Sequence, residues 1–132
     1  MIDINARTHA TAATLVLAPT DRAPAAARAF LSEVFRQRGL GDDYVARLVI
    51  TELVTNAYRH TGTKMIVALV RTENGPPVIE VWDQCDRLPD VRPADQTAES
   101  GRGLPMLSML VHEWGTRPLV EGGKAVWARL ID

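Results

Sequence analysis

The stretch from Asp42 to Arg59, DDYVARLVITELVTNAYR, constrains the fold more than any other part of the chain. It holds no glycine or proline and opens on two aspartates suited to capping. A helix is expected, closed by Thr61 and Gly62. Each helical residue advances by about 100°. With Val45 at zero, Leu48, Val49, Ile50, Leu53, Val54 and Ala57 fill a broad arc, and Arg47, Thr51, Thr55 and Tyr58 fill the other side. An apolar arc that wide needs another layer to cover it. Glu52 and Asn56 fall inside the arc, and so does His60 near the helix end. A carboxylate buried without a partner is costly, so two readings stay open for this helix. Either Glu52 pairs with an arginine and Asn56 caps a backbone group, or the polar stripe faces a cleft. In a cleft, a carboxylate could activate a hydroxyl or a water. An amide oxygen one turn away could hold Mg2+, which prefers hard oxygen ligands and binds substrate phosphates.

The remaining segments supply the covering layer. AATLVLAP is a β-rich run stopped by Pro19. TDRAPAAARAFLSEVFRQRGLG starts with cap-like residues and an early proline. Its Ala27, Phe30, Leu31, Val34 and Phe35 follow the spacing of an amphipathic helix, which Gly39 and Gly41 end. KMIVALVRT and PVIEVWDQ read as two strands joined by the turn ENGPP. LPMLSMLVHEW reads as a short helix with Pro105 in its first turn. GTRPLVEGGKAVWARLI reads as a closing hairpin around Gly122 and Gly123. The order is strand, helix, helix, two strands, long loop, helix, two strands. Two hairpins imply a mixed, mostly antiparallel sheet with three helices on one face. That is a two-layer α/β sandwich of the α+β kind, expected as a single domain over 1–132.

Composition narrows the function classes. A formal net charge of −1 gives no overall field toward nucleic acid or an anionic membrane. The single cysteine, Cys85, can form neither an intrachain disulfide nor a cysteine-based zinc site. The N-terminus lacks the basic and long apolar regions of a signal peptide, and no apolar run reaches membrane-span length. A cytoplasmic protein is expected. His9 and His112 are read as ordinary surface or helix residues.

Two later features favour the cleft. Asp83 ends the strand VIEVWDQ at the brink of the polar loop CDRLPDVRPADQTAESGRG. A carboxylate there could accept a hydrogen bond from an exocyclic amine such as that of adenine, although on its own it reads as a turn former. In SGRGL the loop meets a helix start, where glycines let the backbone approach phosphate and free N–H groups attract anions. A lone glycine pair is weak evidence; the three features in this order are not.

ELVTNAYRH, VWDQCDRLP and ESGRGLPML resemble the asparagine box and the two glycine boxes of the gyrase, Hsp90, histidine kinase and MutL (GHKL) ATPase superfamily. The closer resemblance is to its stand-alone branch, the anti-sigma-factor serine kinases, and it spans nearly the whole chain. It implies a Bergerat-type ATP-binding fold with Glu52 as general base and Asn56 as the Mg2+ ligand. It implies His60 near the phosphates, Asp83 reading adenine and Leu88 near the base. Gly101, Arg102, Gly103 and Leu104 would hinge an ATP lid at about 85–103. Such relatives use ATP to phosphorylate a serine of an anti-sigma-factor antagonist and hold a sigma factor inactive, usually as homodimers. The chain departs from the pattern where Gln84, Cys85, Asp86 and Arg87 follow the aspartate in place of glycines. It departs again at Lys124 and Ala125, where relatives often carry a threonine. The alternative is a non-catalytic nucleotide-binding module that binds a partner. A histidine kinase fragment is disfavoured, because no helical dimerisation segment with a phosphoacceptor fits this length. No direct contact with nucleic acid or membrane is expected.

Overall fold

A computed structural model of the chain describes residues 12–59, 63–73, 75–84, 103–120 and 122–131. The elements follow the expected order: β1 (Ala12–Leu17), α1 (Ala23–Arg38), α2 (Tyr44–Arg59), β2 (Ile66–Arg71), β3 (Val78–Asp83), α3 (Gly103–Leu110), β4 (Val111–Pro118) and β5 (Lys124–Leu130). The five strands form one sheet in the order β1-β2-β3-β5-β4. Among the described residues every pairing is antiparallel, where a mixed, mostly antiparallel sheet was expected. The last hairpin inserts β5 beside β3 and leaves β4 at the edge, which puts β3 in the centre of the sheet.

α1 forms as its spacing predicts. A proline sits in its first turn, and Gly39 closes it in the left-handed region at φ 62°. Ala27, Leu31, Val34 and Phe35 are buried, with Phe30 packed against them. At the start of α2, Asp42 Oδ1 accepts the Tyr44 N–H at 2.7 Å. Asp43 accepts the Ser32 hydroxyl, which ties the α2 start to α1. That hydrogen bond, with Arg47 beside it, lowers the Asp43 pKa against its partial desolvation.

Two expectations change. The run LPMLSMLVHEW is not one helix: α3 stops at Leu110, and Val111, His112, Glu113 and Trp114 belong to β4. Val111 pairs with Leu130 and Trp114 with Ala128, with a bulge between Val111 and Glu113. A short apolar run fits either period, and here the open edge of β5 selects the strand. The buried face of α2 also differs. Ala46, Val49, Ile50, Leu53, Val54 and Ala57 are buried, whereas Val45 and Leu48 stay 37% and 39% exposed. The apolar residues spread around more of α2 than the sheet and its neighbours cover.

Strand alternation divides the sheet. Ile66, Ala68, Val70, Ile79, Val81, Val126, Ala128 and Leu130 face the helices and form the core with them. On the other face, Glu80 is buried and accepts hydrogen bonds from Arg71 Nε at 2.8 Å, Trp82 Nε1 at 2.8 Å and Arg117 Nη2 at 3.0 Å. Burial alone pushes the Glu80 carboxyl up. The bonds from Arg117, Trp82 and Arg71 outweigh it and leave the pKa lowered. Alternation alone does not reveal this network, because its members come from three strands. Among the described residues, no helix is long and apolar enough to cross a membrane.

Candidate functional site

The site grows from α2 and the end of β3, which pack on one another. Rotation of the buried face moves Glu52 and Asn56 from inside the apolar arc to its edge, where both are half-buried. The desolvation problem posed by the sequence is thereby relieved. Among the described residues, Glu52 has no arginine partner. Arg28 donates to Thr51 Oγ1 at 3.1 Å, and Arg47 donates to Asp43 Oδ1 at 3.2 Å. Among the described residues, no hydrogen bond or ion pair reaches the Glu52 or Asn56 side chain. The two therefore share one edge of α2, a turn apart, with their oxygen atoms available.

Asp83 is the last residue of β3 and stands directly opposite Lys124, the first of β5. Lys124 Nζ donates to Asp83 Oδ1 at 3.1 Å and to Oδ2 at 2.9 Å. Each side chain is only 2% exposed. In the sequence Lys124 stands out as a departure from a threonine pattern, not as a partner of Asp83. The signal available was a hairpin whose first strand residue falls level with the end of β3, and that register exists only in the folded sheet. The hairpin backbone also presses on Asp83. Gly123 has φ +86°, and a Cβ there would lie 2.1 Å from the Asp83 carbonyl oxygen. On the other side, Gln84 ties this end of the sheet to the approach of β2. Its Oε1 accepts the Lys64 N–H at 2.7 Å, and its own N–H donates to Thr63 Oγ1 at 3.3 Å.

His60, Leu88, Gly101 and Arg102 lie outside the described residues, as does Cys85. The expected lid at about 85–103 lies outside them too, except for Gly103. Gly103 and Leu104 form the first turn of α3, of which the backbone alone is described. Among the described residues, no group of three or more His, Cys, Asp and Glu side chains is placed to hold a metal ion. Asn56 offers a hard oxygen suited to Mg2+, so a cation there would complete its shell with ligand phosphates and water.

An antiparallel five-stranded sheet under three helices, with this element order, defines an α+β fold of the GHKL ATPase type. The family model for the histidine kinase-like ATPase domain matches residues 17–130, and the chain belongs to that family. A search of curated proteins finds no match.

Proposed function

We propose that this chain binds ATP with Mg2+ between α2 and the α3 side of the sheet. It then transfers the γ-phosphate to a serine of a partner protein, an anti-sigma-factor antagonist, and so controls a sigma factor. The observation that carries this reading is the pair Glu52 and Asn56, a turn apart on one half-buried edge of α2, beside the strand that ends in Asp83. Membership of the histidine kinase-like ATPase family supports the nucleotide. The serine acceptor and the homodimer rest on the resemblance of the motif residues alone, and the cytoplasmic setting on the single cysteine and the sequence's lack of a signal-like or membrane-length apolar run.

In this reading Asn56 would hold Mg2+, which neutralises phosphate charge when bound. Glu52 accepts the proton of the acceptor hydroxyl as its oxygen bonds to the γ-phosphorus and the bond to ADP breaks. Asp83 accepts a hydrogen bond from the exocyclic amino group of adenine. His60 and Leu88 would line the phosphate and base ends, and Gly101, Arg102, Gly103 and Leu104 the hinge of the lid.

The test is Glu52→Gln, which keeps shape and hydrogen bonding but loses basicity. Nucleotide affinity should stay within a few-fold, while phosphate transfer to a cognate antagonist falls by at least ~10²-fold. Candidate antagonists are screened with labelled ATP. A second reading, a non-catalytic binding module, is favoured by one observation: the Asp83 carboxylate is already engaged by Lys124. A wild-type chain that binds ATP, labels no antagonist and is unchanged by Glu52→Gln in sigma-factor capture would establish that second reading instead.

A further inference from the structure

The edge of α2 that carries Glu52 and Asn56 continues toward the start of the helix. At about 100° per residue, Val45 lies within about 20° of both, and Leu48 about 40° from Glu52. Val45 and Leu48 stay 37% and 39% exposed, and Tyr44 beside them 60%. A groove of about 320 Å³ opens next to Val45, bounded by Tyr44, by Leu110 at the end of α3 and by Leu130 and Ile131 where β5 ends. Asp42 lines it too and is exposed. We propose that this N-terminal half of the edge is where the phosphoacceptor protein docks. An apolar residue two positions from its serine packs on Leu48 and Val45, and a basic residue four positions away meets Asp42. This rests on the kinase reading above.

In phosphoryl transfer the attacking and leaving oxygens lie roughly in line across the phosphorus. Base reading at Asp83 puts the adenosine end of ATP beyond the C-terminus of α2. Gln84, the next residue, accepts the N–H of Lys64 just after that helix at 2.7 Å. Mg2+ at Asn56 and the proton acceptor Glu52 then follow in order toward the N-terminus of α2. ADP thus leaves toward the C-terminal half, and the acceptor hydroxyl enters from the N-terminal half. The charges there suit a protein and not a phosphate. Leu48 and Val45 are apolar, Asp42 is acidic, and Arg47 is held by Asp43, which is tied in turn to α1. On the same edge Arg59 sits at the opposite end, one turn past Asn56. Spacing then sets the acceptor sequence. Leu48, Val45 and Asp42 lie about 6, 10 and 15 Å from Glu52 along the axis, at 1.5 Å per residue. An extended chain advances about 3.3 Å per residue and turns every second side chain to the same side. With the serine at Glu52, the second neighbour on that side reaches Leu48 and Val45. The fourth reaches the groove at Asp42, where a cation is complementary.

The experiment incubates the full chain with labelled ATP and a degenerate serine peptide library, and reads the label position by position. On one side of the serine, the wild type should select an apolar residue two positions away by about 10-fold or more, the worth of one buried apolar side chain. Four positions away it should select Lys or Arg by about 2–5-fold, the worth of an exposed ion pair. Leu48→Ser should flatten the first preference and Asp42→Asn the second. Asparagine keeps an oxygen to accept the Tyr44 N–H, so the start of α2 is spared. Asp42→Lys should turn the second preference toward Asp and Glu, which a merely structural loss would not do. ATP affinity by calorimetry should match wild type in Leu48→Ser and Asp42→Asn, and circular dichroism checks each fold. If Leu48→Ser does not fold, the two Asp42 variants decide. Labelled peptides without preference at either position overturn the docking surface while the kinase reading stands. So does a preference that all three variants leave unchanged; if Leu48→Ser then dissociates a dimer in light scattering, the face belongs to a second copy. ATP binding without label on any peptide removes the serine-kinase reading and the docking surface with it. Failure to bind ATP removes the nucleotide reading itself.

Discussion

Lys124 and Asp83 face each other across the β3–β5 ladder and form an ion pair with both side chains 2% exposed. Taking away one partner of such a pair removes the counter-charge of a group buried in the interior. Lys124→Ala is therefore expected to cost about 3–5 kcal/mol in urea unfolding. Replacing both partners with apolar residues, Asp83→Leu with Lys124→Met, should cost far less than the sum of the single changes, because no charge is then stranded. Additive losses would show that the two side chains do not act as a pair.

The hairpin glycines should respond unequally to alanine. Gly122 and Gly123 both have positive φ, 97° and 86°, but only at Gly123 does a Cβ meet backbone, 2.1 Å from Asp83 O and 2.8 Å from Gln84 Cα. Gly122→Ala should cost about 1–3 kcal/mol, the strain of an unfavourable φ. Gly123→Ala carries the same strain and also pushes β5 off β3. It should exceed its neighbour clearly in thermal unfolding and weaken nucleotide binding as well.

Glu80 makes stability depend on acid in a defined direction. Its pKa is lowered from 4.5 in the folded chain. Its contribution is fully present above the ordinary carboxyl range and is lost as pH falls through the lowered folded value. Glu80→Gln removes the charge and turns one acceptor oxygen into an NH2 donor, so either Arg71 or the Trp82 and Arg117 pair loses its acceptor. The variant should be less stable than wild type by about 1–3 kcal/mol near neutral pH. The gap should narrow below about pH 4 as the wild-type carboxyl protonates. A gap that widens toward acid would contradict the assigned network.

Asn56→Ala should separate metal from nucleotide. With a chelator present, nucleotide affinity should change little. The enhancement by Mg2+ should fall by at least the ~10–100-fold that even outer-shell partners of a metal are worth. Equal enhancement in both proteins would remove Asn56 as the ligand.

Local features of the chain were enough to draw most of the framework. The alternation in VIEVWD, the capped amphipathic run of α1 and the glycine-marked hairpins encode short-range geometry, and the element order followed from them. The chemical character of Glu52, Asn56 and Asp83 was legible for the same reason, since a polar residue at an apolar period or a strand end is a local anomaly. Three things were decided only by packing. Apolar residues surround more of α2 than its neighbours cover, so the sequence could not say that Val45 and Leu48 would be left outside and Glu52 and Asn56 brought to the edge. Val111 to Trp114 suited a helix or a strand until β5 offered an open edge. The pairs Arg117–Glu80 and Lys124–Asp83 join strands distant in sequence, and only the register of the closed sheet sets Lys124 against Asp83 and Arg117 near Glu80. Periodicity is written residue by residue along the chain, whereas register and burial are properties of surfaces that exist only once the layers have met.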